Sequence, residues 1–361
     1  MRILWLICWI VSVSGLADDN TTPIRSAAFM GRGNTGIAIA QDEDAIFFNP
    51  AGLAYGGGVF RKVLFLSPYA EVSQDTRNVI REIAIQKNDP TDALRAHEGK
   101  VQHLAASNVS GLILRRVALA AFGATSTSAL LFKDPDQGGF ESVHASSISD
   151  LGIVMSLADR VGTSRFLVGA TGTYFQRSQG ELFANATAAG QFQDLKSSES
   201  LLMTGTGRAV NLGLMYRGEG RLNFSWGLTC LNVGTTTFTP NTHTDLDPGA
   251  WPLRPIKQTL NLGTAIETGT QYSKFRFLAD MQDLLNANHN VYAKRVHLGT
   301  ELVVYNRVGF SAGLNQGYLT GGFFVDLFLL RFDLGFYTEE YGDRVGSRPD
   351  PRLFVRMEAK L

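Results

Sequence analysis

Charge is scarce in this chain. Asp, Glu, Lys and Arg make up 18% of its 361 residues, below the roughly 25% of ordinary soluble domains. The 33 basic and 33 acidic residues cancel, leaving no net field for nucleic acid. Cysteine is nearly absent, with two residues, which excludes a disulfide framework. Proline is low at 11. No apolar run reaches the ~18 residues of a membrane-spanning helix, which excludes a helical membrane protein. Apolar residues still make up 44%, too many for a disordered chain. What is plentiful is glycine, at 38, and phenylalanine, at 23. Little charge with many Gly and Phe is the composition of half-buried strands.

The start of the chain reads as an export signal. Met1 and Arg2 form a minimal charged region, and Ile3 to Val13 is an apolar run too short to span a bilayer. Gly15 and Ala17 fit the small-x-small rule, so cleavage is expected after Ala17. Cys8 falls inside the run, so the mature chain keeps Cys230 alone, without an internal disulfide.

The body of the chain alternates with period two. Phe332, Leu334 and Phe336 share one face of a segment, and Arg331 and Asp333 share the other. Phe275, Phe277 and Ala279 oppose Arg276 and Asp280 in the same way. Val296, Leu298 and Leu302 oppose Arg295, His297 and Glu301. Leu353, Val355 and Met357 oppose Arg356, Glu358 and Lys360. Successive side chains on a strand point to opposite faces, so each segment is a strand with one apolar face.

Fourteen candidate strands follow, at 59–72, 108–115, 117–131, 141–157, 165–180, 205–217, 221–234, 257–268, 274–284, 294–305, 307–316, 318–328, 330–341 and 351–361. Most are ten residues or longer, whereas soluble strands are commonly ~5–6 and bilayer-crossing strands ~9–11. The connections after even strands are short, and several after odd strands are long, at 73–107, 181–204, 235–256 and 342–350. Sorting of loop lengths to two ends is the mark of an outer-membrane barrel. The fold class is therefore all-β, a transmembrane antiparallel β-barrel of about fourteen strands; twelve or sixteen also fit the pattern.

In such a barrel the Phe-rich face meets lipid, because a charge at the bilayer midplane costs roughly 2–4 kcal/mol. The expected lumen wall is then Arg276, Asp280, Arg295, Glu301, Arg331, Asp333, Arg356 and Glu358. Cys230 falls on the outward face with Phe224, Trp226 and Leu228.

Residues 18–58 do not read as barrel strands. They contain Gly31-Arg32-Gly33-Asn34-Thr35-Gly36, a literal G-x-G-x-x-G, but no βαβ unit follows it. Glycines for tight backbone packing are the simpler reading. From Gly31 to Ala54 a glycine-rich start leads through Asp42-Glu43-Asp44 to Asn49-Pro50-Ala51-Gly52-Leu53. This stretch resembles the N-terminal hatch of the FadL/TodX outer-membrane transport superfamily, which includes the PorV/PorQ-like barrels of type IX secretion. The resemblance implies a fourteen-strand barrel behind an N-terminal plug, so after the signal peptide at 1–17 the expected division is a lumenal hatch or plug at 18–58 and a barrel at 59–361. It places Asn49, Pro50 and Ala51 in the hatch inside the barrel. Ile46, Phe47 and Phe48 would hold an apolar ligand against the wall.

The long loop 73–107 carries two apolar stripes at helical spacing. Val79, Ile80, Ile83 and Ala84 form the first; Leu94, Val101, Leu104 and Ala105 form the second, after an Asp89-Pro90 helix start. Two short helices in an outer loop are expected to pack at the barrel mouth.

No catalytic constellation stands out. The six His, at 97, 103, 144, 243, 289 and 297, lack metal-ligand spacing. His243-Thr244-Asp245-Leu246-Asp247 lacks the remaining ligands of a calcium loop. The chain is expected to be no enzyme and to need no cofactor or metal. The leading expectation is passive uptake of a hydrophobic, fatty-acid-like small molecule through a plugged lumen in the bacterial outer membrane. The alternative is a PorV/PorQ-like barrel that docks exported or surface proteins, and a purely structural barrel is a third reading. Expected partners are outer-membrane lipid and a hydrophobic small-molecule ligand, with an exported protein in the alternative.

Overall fold

The computed structural model describes residues 22–56, 60–84, 90–134, 140–185, 201–241 and 253–361. The expected signal peptide, 1–17, and the stretch His243 to Asp247 lie outside the described residues. Ahead of the sheet come α1 (Ala27–Gly31), α2 (Asp42–Phe48) and a 3-10 turn, Pro50–Ala54.

The barrel follows in chain order. Its first strand, β1, is Phe60–Leu66, resumed after a break as Tyr69–Ser73. Then come β2 (Val101–Leu114), β3 (Val117–Asp134), β4 (Phe140–Arg160), β5 (Phe166–Asn185), β6 (Leu201–Arg217) and β7 (Leu222–Leu231). The second half is β8 (Thr259–Gly269), β9 (Ser273–Met281), β10 (Val296–Val304), β11 (Val308–Asn315), β12 (Tyr318–Asp326), β13 (Leu330–Glu340) and β14 (Pro349–Lys360). Each strand pairs antiparallel with its neighbours in sequence. Both segments of β1 also pair with β14, so the sheet is closed at fourteen strands and has no free edge. A short strand, Phe238–Pro240, adds to β6.

The wall follows the alternation. Asp280, Glu301, Asp333 and Arg356 are buried inward, while Phe277, Leu334 and Leu151 are 54%, 57% and 68% exposed on the outer face. Strands β8–β14 are 8–12 residues long, the length of a tilted bilayer crossing. Strands β3–β6 run 17–21 residues. Their excess lies on the long-loop side, where the outer face turns polar. Thr125 meets Ser149 there at 2.9 Å, and Thr127 meets Ser147 at 3.1 Å. On the opposite rim, exposed Tyr272 and Tyr305 lie 5.6 Å apart, as an aromatic girdle does at a membrane interface.

Three expectations change. First, β2 begins at Val101, not 108. Helices α3 (Gln74–Ala84) and α4 (Pro90–Ala96) form in the loop, but Val101, Leu104 and Ala105 belong to the strand. Val101 points inward and Leu104 outward, because β3 pairs with this backbone from Leu130 onward. Second, Arg295 ends a helical turn, α5 (Tyr292–Arg295), and is not a strand residue. Third, β1 is interrupted at Ser67 and Pro68. Lys62 and Leu64 are buried before the break and Tyr69, Glu71 and Ser73 after it, so the inward set switches from even to odd. Proline gives the ladder no N–H, and the Ser67 N–H donates to the Asn108 side chain at 2.9 Å. The switch gives the candidate strand 59–72 two facings, one on each side of the break.

Candidate functional site

Residues 22–56 lie inside the ring, since atoms from strands around the circumference reach them. Thr171 of β5 donates to the Ile46 carbonyl at 3.0 Å, and Arg217 of β6 donates to the Ala38 carbonyl at 3.2 Å. Asp280 of β9 accepts the N–H groups of Gly36 and Ile37 at 2.7 and 3.0 Å. Local sequence shapes the segment. The Ser26 hydroxyl caps α1 at the Phe29 N–H, 3.3 Å away. Asp42, Glu43 and Asp44 occupy the first turn of α2, where negative charge is favoured. Pro50 opens the 3-10 turn, where its missing N–H costs nothing.

Between these bonds, from β5 to β12, the wall comes closest to the segment at glycines. Gly169 pairs with Gly213, Gly227 with Gly263, and Gly299 with Gly313. A Cβ at Gly169 would run into Pro50 and Ala51; at Gly227 or Gly263, into Ile37; at Gly299 or Gly313, into Arg32. Gly31 and Gly322 approach each other with no room for a side chain on either. Gly33, at φ +75°, takes a left-handed turn against Leu298 and Leu314. The G-x-G-x-x-G stretch therefore serves close backbone packing.

From β13 through β14 to β1 the contact is ionic. Arg356 holds Glu43 at 3.0 Å and Asp333 at 2.9 Å. Lys62 bridges Glu43 and Glu358 at 2.7 and 2.6 Å, and Arg61 meets Asp42 at 3.0 Å. Burial would raise the Glu43 carboxyl, but Lys62 and Arg356 outweigh it and hold the group well below the usual carboxylate range. Burial and the neighbouring Glu43 push Asp44 up to about 6. Higher in the lumen, Arg25 reaches Glu339 at 2.8 Å and the Tyr337 hydroxyl at 2.9 Å. Arg32 crosses to Glu301 at 3.3 Å, which also holds Arg276 at 2.7 Å.

A cavity of about 90 Å³ remains between the segment and the β7–β11 side of the wall. Its apolar lining is Ile24, Phe29, Met30, Ile37, Phe48 and Leu231, with Phe29 and Phe48 stacked at 4.6 Å. Its polar lining includes Asn261, Asn288, Lys294, Arg295 and His297. Arg295 donates to the Asp283 carbonyl at 3.1 Å, and its buried Nε has no hydrogen-bond partner among the described residues. A second, open cavity of about 640 Å³ sits at the β1 break, lined by residues including Pro68, Ala70, Ala106, Gly123, Val355 and Met357.

Of the residues expected in the hatch, Asn49 is fully buried. Its side-chain amide donates to the Ile37 carbonyl at 2.9 Å and accepts the Ala51 N–H at 3.3 Å. Pro50 and Ala51 pack on the glycines of β5 and β6. Ile46 and Phe47 are buried in the wall core, with Phe47 edge-on to Phe122 at 5.8 Å, so of the three expected ligand contacts only Phe48 lines the cavity. Among the wall residues, Arg276, Asp280, Glu301, Arg331, Asp333, Arg356 and Glu358 project into the lumen, while Arg295 sits at the rim of the cavity. Sequence reasoning missed Arg25, Arg32, Lys62 and Glu71. Two arginines in an otherwise apolar, glycine-rich stretch were the available signal, since buried cations need partners. Cys230 is half-buried on the outer face. Among the described residues no group of His, Cys, Asp and Glu could hold a metal ion.

No family model matches the chain, and no curated protein does. Solved structures do. The toluene transporter TbuX of Ralstonia pickettii superposes with a TM-score of 0.52 at 12% identity, over 93% of this chain and 97% of that one. This chain has the FadL/TodX barrel fold. A deltaS2S3 mutant of the monoaromatic hydrocarbon channel TodX superposes at 0.50 with 11% identity, over 93% and 98%. At such identity the FadL/TodX likeness concerns the path of the backbone, closed ring included.

Proposed function

We propose that this protein is an outer-membrane channel for passive uptake of compact hydrophobic compounds, with residues 22–56 as its plug. The observation that carries the reading is the cavity beside the stacked Phe29–Phe48 pair, with Lys294 and Arg295 in its lining. An apolar wall with a few convergent polar groups is the usual form of a small-molecule site. At about 90 Å³ it is smaller than the ~150 Å³ apolar cavity that takes up benzene. Loading therefore requires the plug side chains to move, and a ring-sized compound suits the space better than a long acyl chain. The superposed channels are described as carrying toluene and monoaromatic hydrocarbons, which are of that scale. The interrupted ladder at Pro68, with its open outer cavity, supports release into the bilayer on the β1–β2 side.

Binding to the detergent-purified protein tests this. Toluene and 4-ethylbenzoate should both bind, the carboxylate more tightly. Lys294→Gln with Arg295→Gln should remove the difference, and Phe48→Ala should weaken both. Absence of binding by either, together with a stoichiometric co-purifying exported protein, would replace uptake with docking.

A further inference from the structure

The charge of this neutral chain is unevenly placed. The six short connections are 115–116, 161–165, 218–221, 270–272, 305–307 and 327–329, and together they carry five arginines, no lysine and one glutamate. The arginines are Arg115, Arg116, Arg165, Arg221 and Arg307, on four of the six turns. The other two turns carry exposed apolar and aromatic groups, Tyr272 in one and Leu327, Phe328 and Leu329 in the next. Basic and aromatic groups thus share one level, the rim where the lipid-facing band ends.

We propose that this rim binds the phosphates of anionic phospholipids in the leaflet on the short-turn side, as a ring of bound headgroups. Three features select that partner. The choice of Arg alone suits phosphate, whose oxygens a planar guanidinium grips through two N–H groups. The spacing suits lipids, because the cations are spread around the circumference from the β2–β3 turn to the β10–β11 turn, whereas a globular acidic partner needs them on one patch. The groups are also available. Arg116, Arg165 and Arg307 have side chains 49%, 46% and 51% exposed while each touches one acid, Asp159, Glu219 and Asp326, at 3.1, 3.3 and 3.9 Å. Each keeps donors free beyond that contact. Arg221 is exposed and makes no ion pair or hydrogen bond among the described residues. The inference needs only the barrel and its orientation, with short turns periplasmic, and does not depend on what the lumen carries.

The test uses the full chain reconstituted in phosphatidylcholine with a minor fraction of phosphatidylglycerol. Spin-labelled versions of both lipids report the fraction immobilised on the protein. Phosphatidylglycerol should be preferred about fivefold at low salt, and the preference should approach parity in ~1 M salt, where charges are screened within ~3 Å. The combined variant R116Q, R165Q, R221Q and R307Q should lose it. R221Q alone removes a side chain with no internal partner, so it should fold normally and lose a measurable part of the preference. Equal immobilisation of the two lipids at low salt would overturn the proposal. So would a preference unchanged in both variants, or one abolished by soluble glycerophosphate at concentrations that leave ionic strength unchanged.

Discussion

Two arcs of the wall, a glycine half and a charged half of the plug's contacts, hold it by mainly different chemistry. From β5 to β12 the plug backbone lies against glycines, with Asp280 and Glu301 as the acids that reach it; from β13 through β14 to β1 it is held by Arg356, Lys62 and Arg61 on the acids of α2. Backbone seated in a glycine groove fits one geometry, and water cannot substitute for the lost contact. Ion pairs differ. Their desolvation offsets much of their attraction, and a wetted lumen can solvate both partners once they part. The glycine half therefore fixes where the segment sits, and the charged half is where its contacts can loosen.

The largest effect expected of a single change lies on the charged half. Arg356→Met leaves Glu43, Asp333 and Glu358 without their shared cation, and removing one partner of a buried pair costs about 3–5 kcal/mol. The heat-modifiable band on a denaturing gel should convert at a clearly lower temperature. An unchanged transition would mean that the lumen already solvates these acids. Next comes the glycine half. Gly299→Leu forces a side chain onto Arg32, at the ~1–3 kcal/mol typical of overpacking. Its distinctive result should be displacement of the plug, read as ion conductance in planar bilayers. If R356M conducts more than G299L, the two halves have been assigned the wrong way round.

Much of this was legible beforehand, for a definite reason. Alternation exposes the facing of Arg276, Asp280, Asp333 and Arg356 directly, because a strand has only two faces. The glycine groove was not legible. Gly169 and Gly299 read as weak points in strands until the plug backbone is seen against them. At the start of β2, Val101, Leu104 and Ala105 satisfy helical spacing as well as a strand, and only the pairing of β3 decides between the two. Arg295 continues the alternation of β10 by one residue beyond the point where pairing stops, so periodicity alone cannot exclude it from the strand. In the plug, the resemblance singles out Asn49, but its bonds to the Ile37 carbonyl and the Ala51 N–H appear only in the fold. The acids of α2 read as a cluster, but their partners come from the far end of the chain and from β1.

A smaller effect sharpens the charged half by pH. Asp44 is pushed up to about 6, above its ordinary ~3.9. The folded protein therefore holds a proton there that the unfolded chain has lost. Stability from this group is complete below about pH 4, falls as pH rises toward 6, and stays lost above it. Asp44→Asn should then raise the unfolding temperature at pH 7.5, by the equivalent of up to about 3 kcal/mol, and make no difference at pH 4. A pH-independent gain would place the effect outside Asp44 ionisation.

The central claim is that residues 22–56 close a ring that would otherwise be open. Fourteen strands enclose more space than their own inward side chains fill. Single-channel conductance of the intact chain and of a chain lacking 22–56, in the same planar bilayer, tests this most directly. The intact protein should be nearly silent, and the shortened one should show steady open-pore currents. Equal conductance from the two would contradict the account.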